Sequence, residues 1–253
     1  MINPMSLEGK RILVTGASSG IGQAIAILLS ELGANVVLVA RDQKRLNKTL
    51  ALLAGEGHLA ESMDLALLDD IPAWFAKIIE SFGVLDGLVH SAGIQYTAPL
   101  QSIQLSDMAL MFRINFDAAM MLAQAFRKRN AHNPVRSGIV YISSVASLSG
   151  VPGNAAYAAT KGALTSLART LALELARDNI RVNTVVPALV RTELAETLLT
   201  KLSQKQREAL MERHPLGLGQ VEDVAHAVAF LLSEAGRWIT GTSLIVDGGY
   251  TAQ

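Results

Sequence analysis

The chain of 253 residues contains no cysteine, which excludes disulfide bonds, a thiolate nucleophile and cysteine-ligated metals. Its five histidines are scattered without HxxxH or HExxH spacing, so that no metal site is predicted. They are His58, His90, His132, His214 and His226. Only 17% of the residues are charged, the formal net charge is zero, and there is no basic block or stripe. We therefore expect neither nucleic acid nor an anionic membrane as a partner.

Long apolar runs are also missing. No run reaches the length of about eighteen residues that a membrane-spanning helix needs, and the N-terminus has no signal-peptide pattern. We therefore expect a cytoplasmic protein. Half of the residues are apolar, which at this low charge indicates a large core or subunit contacts.

Short β-prone apolar runs alternate with longer helical stretches along the whole chain. Several of these runs are apolar almost throughout, which is typical of parallel strands covered on both faces. The predicted strands are residues 11–16, 35–40, 58–64, 85–93, 138–144, 180–187 and 243–249. The alternation predicts an α/β fold in which residues 1–253 form one domain, with a doubly wound, mostly parallel seven-stranded sheet and helices on both faces. Ligands of such folds bind beyond the carboxyl ends of the strands.

The first predicted strand is followed by the glycine-rich segment TGASSGIG. Glycines between a strand and a helix let the backbone approach a pyrophosphate, whose charge the helix N-terminus stabilises. The segment therefore predicts a dinucleotide site of the Rossmann type. Its candidate residues are Gly16, Ser18, Ser19, Gly20, Ile21 and Gly22.

The end of the second strand predicts which dinucleotide binds. An NAD site has an acidic residue there that binds the ribose 2′-hydroxyl, whereas this chain has Ala40 and Arg41. An arginine pairs with a 2′-phosphate and a carboxylate repels it, so that the prediction is NADP(H). NAD(H) stays the alternative because Asp42 comes directly after Arg41.

Tyr157 and Lys161 are four residues apart in an alanine-rich helical stretch and therefore share one helix face. Alone, such a pair is compatible with an ordinary solvated face. Here Ser143 and Ser144 end the preceding strand, close to where a nicotinamide would emerge from the glycine-rich loop. A phenol has a pKa near 10, and we expect the ammonium of Lys161 to lower that of Tyr157.

In these segments the chain resembles the short-chain dehydrogenase/reductase family, in its compact branch, over essentially its whole length. The shared segments are TGASSGIG, Asp64 after the third strand, HSAG after the fourth, Asn115 in FRINFDAA, Ser144, YAATK, VVPALVRT and VDGG. The resemblance implies that Tyr157 is the acid/base, that Lys161 binds the nicotinamide ribose, that Ser144 positions the substrate oxygen and that Asn115 holds a relay water. The further cofactor-binding residues that it implies are Asp64, Leu65, Ser91, Ala92, Gly93, Tyr157, Lys161, Pro187, Ala188, Val190 and Thr192.

Two positions depart from the family pattern. His90-Ser91 replaces a pair of asparagines, and we expect a structural contact within the sheet for His90. Ala188 replaces a glycine after Pro187; because alanine enters positive-φ conformations less freely, we expect a different first turn there.

The predicted function is NADP(H)-dependent interconversion of a carbonyl and a secondary alcohol by hydride transfer. General similarity to 3-oxoacyl-acyl-carrier-protein reductases makes a 3-oxoacyl thioester the first candidate substrate, although the sequence has no pronounced basic cluster for docking an acidic carrier. The alternatives are an NAD(H)-dependent dehydrogenase of a sugar or small alcohol, an epimerase or dehydratase of the extended branch, and a non-catalytic nucleotide-binding module.

The substrate pocket and the subunit contacts are the last sequence-based expectations. The expected pocket residues are Gln95, Tyr96, Ala146, Gly153, Asn154 and the segment 188–215. The stretch at about 188–220 is interpreted either as a lid over this pocket or as an ordinary surface helix pair. Two apolar helical stretches, one of them containing Tyr157, imply by resemblance a homotetramer.

Overall fold

The computed structural model describes residues 3–201 and 203–253 and contains one parallel sheet between two layers of helices. Its strands are β1 (Arg11–Thr15), β2 (Asn35–Ala40), β3 (Leu59–Ser62), β4 (Gly87–His90), β5 (Ser137–Ile142), β6 (Ile180–Pro187) and β7 (Ser243–Val246). The strand order is β3-β2-β1-β4-β5-β6-β7, and all neighbouring strands are parallel. The predicted doubly wound seven-stranded sheet is confirmed, and its topological switch point lies between β1 and β4.

The helices between the strands cover both faces of the sheet. They are α1 (Gly20–Glu31), α2 (Gln43–Leu50), α3 (Ile71–Phe82), α4 (Leu105–Phe112), α5 (Ala118–Arg127), α6 (Ala155–Glu174), α7 (Glu193–Lys201), α8 (Gln204–Glu212) and α9 (Val221–Leu232). A π-helical turn, Arg113–Asp117, joins α4 to α5.

Side chains that alternate along each strand explain why the strand sequences are apolar almost throughout. Leu13 and Val37 pack into one buried cluster together with side chains of α3, α5 and α6. Ile12 and Val36, one residue earlier in each strand, pack into a second cluster with side chains of α1, α2 and α9. Successive strand residues point to opposite faces, so a sheet with two covered faces needs apolar residues at both.

The predicted and observed strands differ mainly at their carboxyl ends. The strands predicted at 35–40 and 180–187 have the observed bounds, whereas those predicted at 85–93 and 243–249 end earlier, at His90 and Val246. At this edge the chain turns out of the sheet into the loops that form the candidate site. Among residues 3–201 and 203–253 no helix combines the length and the apolar character needed to cross a membrane. The cytoplasmic location stays a prediction.

Candidate active site

The loop between β1 and α1 is packed so closely that it needs glycine at defined positions. A Cβ atom on Gly16, which has a φ of +68°, would lie 2.8 Å from the backbone nitrogen of Ala92. A Cβ on Gly22 would lie 2.3 Å from the carbonyl oxygen of Gly16. Ser19 is the residue before α1, and its side chain accepts no hydrogen bond from the first turn of the helix. The first N–H groups of α1 are therefore not capped by this serine. The loop therefore fits a pyrophosphate.

The turn after β4 lies directly beside this loop. The hydroxyl oxygen of Thr15 accepts hydrogen bonds from the N–H groups of Ser91, at 3.2 Å, and of Ala92, at 3.1 Å. A Cβ on Gly93 would lie 3.2 Å from Oδ1 of Asn115 and 3.4 Å from Nζ of Lys161, so the turn runs close to both of these side chains. The structure thus brings the predicted cofactor residues at 16–22 and 91–93 together. Thr15, which joins them, was not predicted.

The residues after β2 and β3 lie at the adjacent part of the edge. Arg41 is exposed. The carboxylate of Asp42 accepts hydrogen bonds from the backbone N–H groups of Lys44, at 2.9 Å, and Arg45, at 3.1 Å, and so caps α2. Asp42, the residue that keeps NAD(H) as the alternative, therefore has a structural role. After β3, Asp64 accepts the N–H of Ala66 at 3.0 Å and Leu65 is buried.

The two serines at the end of β5 have different environments. The hydroxyl of Ser143 is buried, donates to the carbonyl oxygen of Lys161 at 2.9 Å and lies 3.2 Å from the hydroxyl of Thr165. The Ser143 hydroxyl therefore connects the end of β5 to α6. Ser144 is partly exposed, and its hydroxyl oxygen accepts the N–H of Ala146 at 3.2 Å. The side chain of Ser144 acts to lower the pKa of the Tyr157 hydroxyl, so Ser144 is the serine that the fold presents to the candidate acid/base.

Lys161 is almost completely buried one helical turn after Tyr157. Its Nζ donates to the carbonyl oxygen of Ile142 at 2.8 Å and lies 5.7 Å from the centre of the Tyr157 ring. Burial lowers the pKa of Lys161 to about 8. Burial also raises the pKa of Tyr157 above its usual value, and the neighbouring Ser144 side chain opposes this. The pKa of Tyr157 is therefore shifted upward, opposite to the expected direction, because burial outweighs the neighbouring groups.

Asn115 lies fully buried in the π-helical turn between α4 and α5. Its side-chain nitrogen donates to the carbonyl oxygen of Ile94 at 2.9 Å and to the hydroxyl of Thr160 at 3.0 Å. Its side-chain oxygen accepts the N–H of Ile94 at 2.8 Å. Both amide hydrogens are thus engaged, and a relay water near Lys161 would have to bind to the remaining acceptor positions of Asn115. The visible role of its side chain is to hold the backbone after Gly93.

The segment after β6 brings further predicted residues to the same edge. Pro187 and Val190 are buried, and a Cβ on Gly20 would lie 3.3 Å from the methyl group of Thr192. The only non-glycine residues with positive φ in the described parts of the chain are Asn130 and Asn179. Ala188 therefore does not adopt a left-handed conformation, and the different first turn expected at this position stays a prediction.

Polar side chains connect the two loops at the rim of the expected pocket. Asn154 accepts hydrogen bonds from Gln95, at 3.1 Å, and Thr97, at 3.0 Å, through its side-chain oxygen. Gly153, with a φ of +81°, accepts the N–H of Ala98 at 2.9 Å. Tyr250 was not predicted; it packs against partly buried Ala188 in a small apolar cluster behind the site. No sequence pattern marks it, because its neighbours come from distant segments.

The fold gathers positive charge at the opposite, amino-terminal edge of the sheet. A cleft of about 820 Å³ there is lined by Arg127, Lys128, Arg129 and Arg177, with Asp178 as an acidic neighbour. The expectation of no pronounced basic cluster is therefore wrong, because α5 and the segment after α6 end side by side. No group of His, Asp or Glu in the described ranges has the arrangement of a metal site.

Comparisons with known proteins give relatives over nearly the full chain. The family model adh_short_C2, described as enoyl-(acyl carrier protein) reductase, matches residues 16–251. A 3-oxoacyl-acyl-carrier-protein reductase of Rickettsia conorii is 37% identical, covering 97% of this chain and 98% of its own. A glucose 1-dehydrogenase of Gluconobacter oxydans is 34% identical, with coverages of 96% and 92%. A crystal structure from Agrobacterium tumefaciens, a candidate 2-deoxy-d-gluconate 3-dehydrogenase with bound NADP, has a TM-score of 0.88 at 34% identity, covering 100% of both chains.

Proposed function

The chain belongs to the short-chain dehydrogenase/reductase family, whose members act on CH–OH and C=O groups, and we propose that it interconverts a carbonyl and a secondary alcohol with NADP(H). The observation that carries this proposal is the meeting of Ser144, Tyr157 and Lys161 at the carboxyl edge of the sheet, beside the glycine-rich loop. Both members of the Tyr–Lys pair are present, which argues against a nucleotide-binding module without turnover.

The residues at this edge suit a dinucleotide. The first turn of α1 would hold the pyrophosphate, and the turn Ser91–Gly93 with Asp64 and Leu65 would border the adenosine half. Arg41 would pair with the 2′-phosphate, because Asp42 is engaged as the cap of α2. The nicotinamide half would lie against Tyr157, Lys161, Pro187, Ala188, Val190 and Thr192. When bound there, the nicotinamide supplies or accepts the hydride.

Tyr157 moves the proton in this proposal. In reduction its hydroxyl donates a proton to the carbonyl oxygen of the substrate, and in oxidation it takes a proton from the alcohol. Burial raises its pKa, so the phenol is protonated at neutral pH, the form that donates the proton in reduction. The Ser144 hydroxyl would hold the substrate oxygen beside the phenol, and Lys161 would hold the ribose.

Two substrate classes have support. Similarity to a 3-oxoacyl-acyl-carrier-protein reductase favours a 3-oxoacyl thioester. A sugar or small alcohol is the second candidate, because the Gln95–Asn154–Thr97 hydrogen bonds give the rim of the pocket amide character suited to hydroxyl groups. The similarity to a glucose 1-dehydrogenase supports the same class.

The segment 188–220 and the subunit contacts belong to the same proposal. The helix pair α7 and α8 would form the substrate lid, because it follows the carboxyl end of β6 directly. Glu193 at the start of α7 forms an ion pair of 3.3 Å with Arg45 of α2, which connects the lid to the cofactor side. A homotetramer is supported by exposed apolar side chains, among them Leu173 at the end of α6 and Trp238, which is 95% exposed.

The test is to mix the protein with NADPH or NADH and an acetoacetyl thioester, a keto-sugar or a small ketone, and to follow the reduced nicotinamide by absorbance. Consumption of NADPH with a stoichiometric amount of alcohol is the expected result. Product without net change of cofactor would indicate an epimerase. Tight NADPH binding without turnover of any carbonyl would indicate a non-catalytic module.

A further inference from the structure

His90 ends β4 directly behind the candidate site, and the chemistry proposed above does not use it. The side chain is completely buried, and among the residues that the structure describes its Nε2 atom has no hydrogen-bond partner. Its ring lies edge-on to that of Tyr141, at 6.4 Å between centres. An unpartnered polar atom at such depth needs an explanation, because burial without a hydrogen bond costs about 1–3 kcal/mol.

The hydrogen bonds of Thr15 identify the tautomer of His90. Oγ1 of Thr15 already accepts two backbone N–H groups, those of Ser91 and Ala92. Its own hydrogen is therefore directed to the third neighbour, Nδ1 of His90, at 3.1 Å. If Nδ1 accepts this hydrogen, the ring hydrogen of the neutral imidazole is on Nε2.

The His90 ring lies on the face of the sheet that the π-helical turn covers, since its cross-strand neighbour Tyr141 contacts it edge-on and donates to the carbonyl oxygen of Ala119, two residues after that turn. Backbone groups of Ile114 and Asn115 act to raise the pKa of His90, as carbonyl acceptors near an imidazole N–H do. Burial and the neighbouring Lys161 charge dominate and lower that pKa to about 3, so the ring stays neutral. The imidazole thus lies between the Thr15 hydroxyl and the backbone of the π-turn.

We propose that His90, as the Nε2–H tautomer, is a positioning residue that connects the cofactor loop through Thr15 to the π-turn of Asn115. Asn115 in turn holds the Ile94 backbone by two hydrogen bonds, next to Gly93 and Lys161. An asparagine at position 90 would reach Thr15 but not the π-turn, because its amide ends near the place of Nδ1. The inference rests on the proposed function only in its kinetic consequence; the tautomer and its contacts do not depend on turnover.

The first experiment does not need activity. In the full chain labelled with ¹⁵N-histidine, long-range ¹H–¹⁵N NMR spectra give the tautomer of each ring, and His90→Asn assigns the His90 signals by their loss. We expect a protonated Nε2, an unprotonated Nδ1 and signals that do not change between about pH 5 and 9. A proton on Nδ1, or titration within that range, would overturn the proposal.

The second experiment compares His90→Asn and His90→Leu with His132→Leu, a matched control. His132 is also buried and its Nδ1 pairs with the Phe126 carbonyl at 3.0 Å, but it lies at the amino-terminal edge. We expect kcat to fall about tenfold in His90→Asn and further in His90→Leu, with the NADPH dissociation constant of His90→Asn changed less than about threefold. His132→Leu should keep the kcat of the wild type.

The outcomes distinguish the positioning role of His90 from the proposed enzymatic function. Wild-type kcat in a folded His90→Asn protein would overturn the positioning role, as would an equal loss of kcat in His90→Asn and His132→Leu. If His90→Leu does not fold, His90→Asn and the NMR spectra still decide. A wild-type protein that reduces no carbonyl would contradict the proposed function, while the tautomer would still be tested by NMR.

Discussion

The two edges of the sheet differ in how they hold their most prominent charged and polar side chains. At the amino-terminal edge, three ion pairs lie near the surface: Lys10 with Asp86 at 3.3 Å, Arg127 with Asp178 at 2.8 Å, and Arg136 with Glu234. At the carboxyl edge, Lys161, His90 and Asn115 are buried, and the described residues give the ammonium of Lys161 a hydrogen bond to the Ile142 carbonyl rather than an ion pair.

The difference shows where the fold accepts a cost in stability. Burying an ammonium without an opposite charge destabilises the folded state, and the lowered pKa of Lys161 measures that cost. Perturbed groups of this kind cluster where chemistry is done. We therefore expect substitutions at the carboxyl edge to change activity strongly and stability in either direction, and substitutions at the amino edge to change stability slightly.

Tyr157→Phe should give the largest effect. Removing the hydroxyl removes the proton donor but leaves the ring in place, so kcat should fall at least about a thousandfold while NADPH binding stays within about threefold. Steady-state kinetics and fluorescence titration with NADPH measure the two quantities. Retention of a tenth or more of the wild-type kcat would contradict the role of Tyr157.

Lys161→Met should separate activity from stability. The pKa of Lys161 is lowered from 10.5 to about 8, so at pH 7 the charged, buried side chain destabilises the fold by about 3 kcal/mol. Between about pH 8 and 10.5 the unfolded chain binds more protons than the folded one, and the wild type gains stability as pH rises. We expect the variant to be more stable by about 1–3 kcal/mol at pH 7, with the gain vanishing above about pH 10.

Urea denaturation of wild type and Lys161→Met at pH 7 and at about pH 10 checks this prediction. The lost hydrogen bond to the Ile142 carbonyl offsets part of the gain, so the pH dependence is the sharper measurement. In the same variant kcat should fall about a hundredfold. A variant less stable than wild type at pH 7, with the same difference at both pH values, would disprove the claim of a costly buried ammonium.

Arg41→Asp should shift the ratio of kcat/KM for NADPH to that for NADH about 10- to 100-fold toward NADH, because a carboxylate repels the 2′-phosphate. Asp42→Asn is the matched control, since asparagine also caps helices well and position 42 is engaged with α2. It should leave the ratio unchanged. Equal ratios in Arg41→Asp and wild type would remove Arg41 from the cofactor site.

Glu234→Gln at the amino edge should have the smallest effect. The hydrogen bond from Arg136 lowers the pKa of the Glu234 carboxyl, but both side chains are substantially exposed. Loss of an exposed pair changes the free energy of unfolding by less than about 1 kcal/mol, and kcat should stay that of the wild type. A clear fall in kcat would break the proposed division between the two edges.

Most of the fold was predictable because its signals are local. The strand bounds of β2 and β6 follow from apolar runs with clear ends, and the glycine-rich loop between β1 and α1 is marked by its own residues. The π-turn at 113–117 was not predictable, since the helical pattern continues through it. The end of β4 was missed because small residues after His90 fit a strand as well as a turn.

The sequence predicted which residues form the candidate site better than it predicted their pKa values and hydrogen-bond partners. Ser143 and Ser144 are indistinguishable by composition, and only the fold directs one hydroxyl to the backbone of α6 and the other to Tyr157. The expected direction of the Tyr157 pKa shift was wrong, because the spacing of residues carries no information about how deeply a side chain is buried. The basic cleft was not predicted, because Arg177 is far in sequence from Arg127–Arg129.

The amino-acid sequence by itself determined the strand–helix alternation, the glycine-rich loop and the spacing of Tyr157 and Lys161, since each depends on neighbours a few residues away. Only the tertiary structure decided which serine faces the tyrosine, how deeply Lys161 is buried and what His90 contacts. Burial and hydrogen-bond partners come from segments far apart in the chain, and they set the pKa values and orientations on which the proposed chemistry depends.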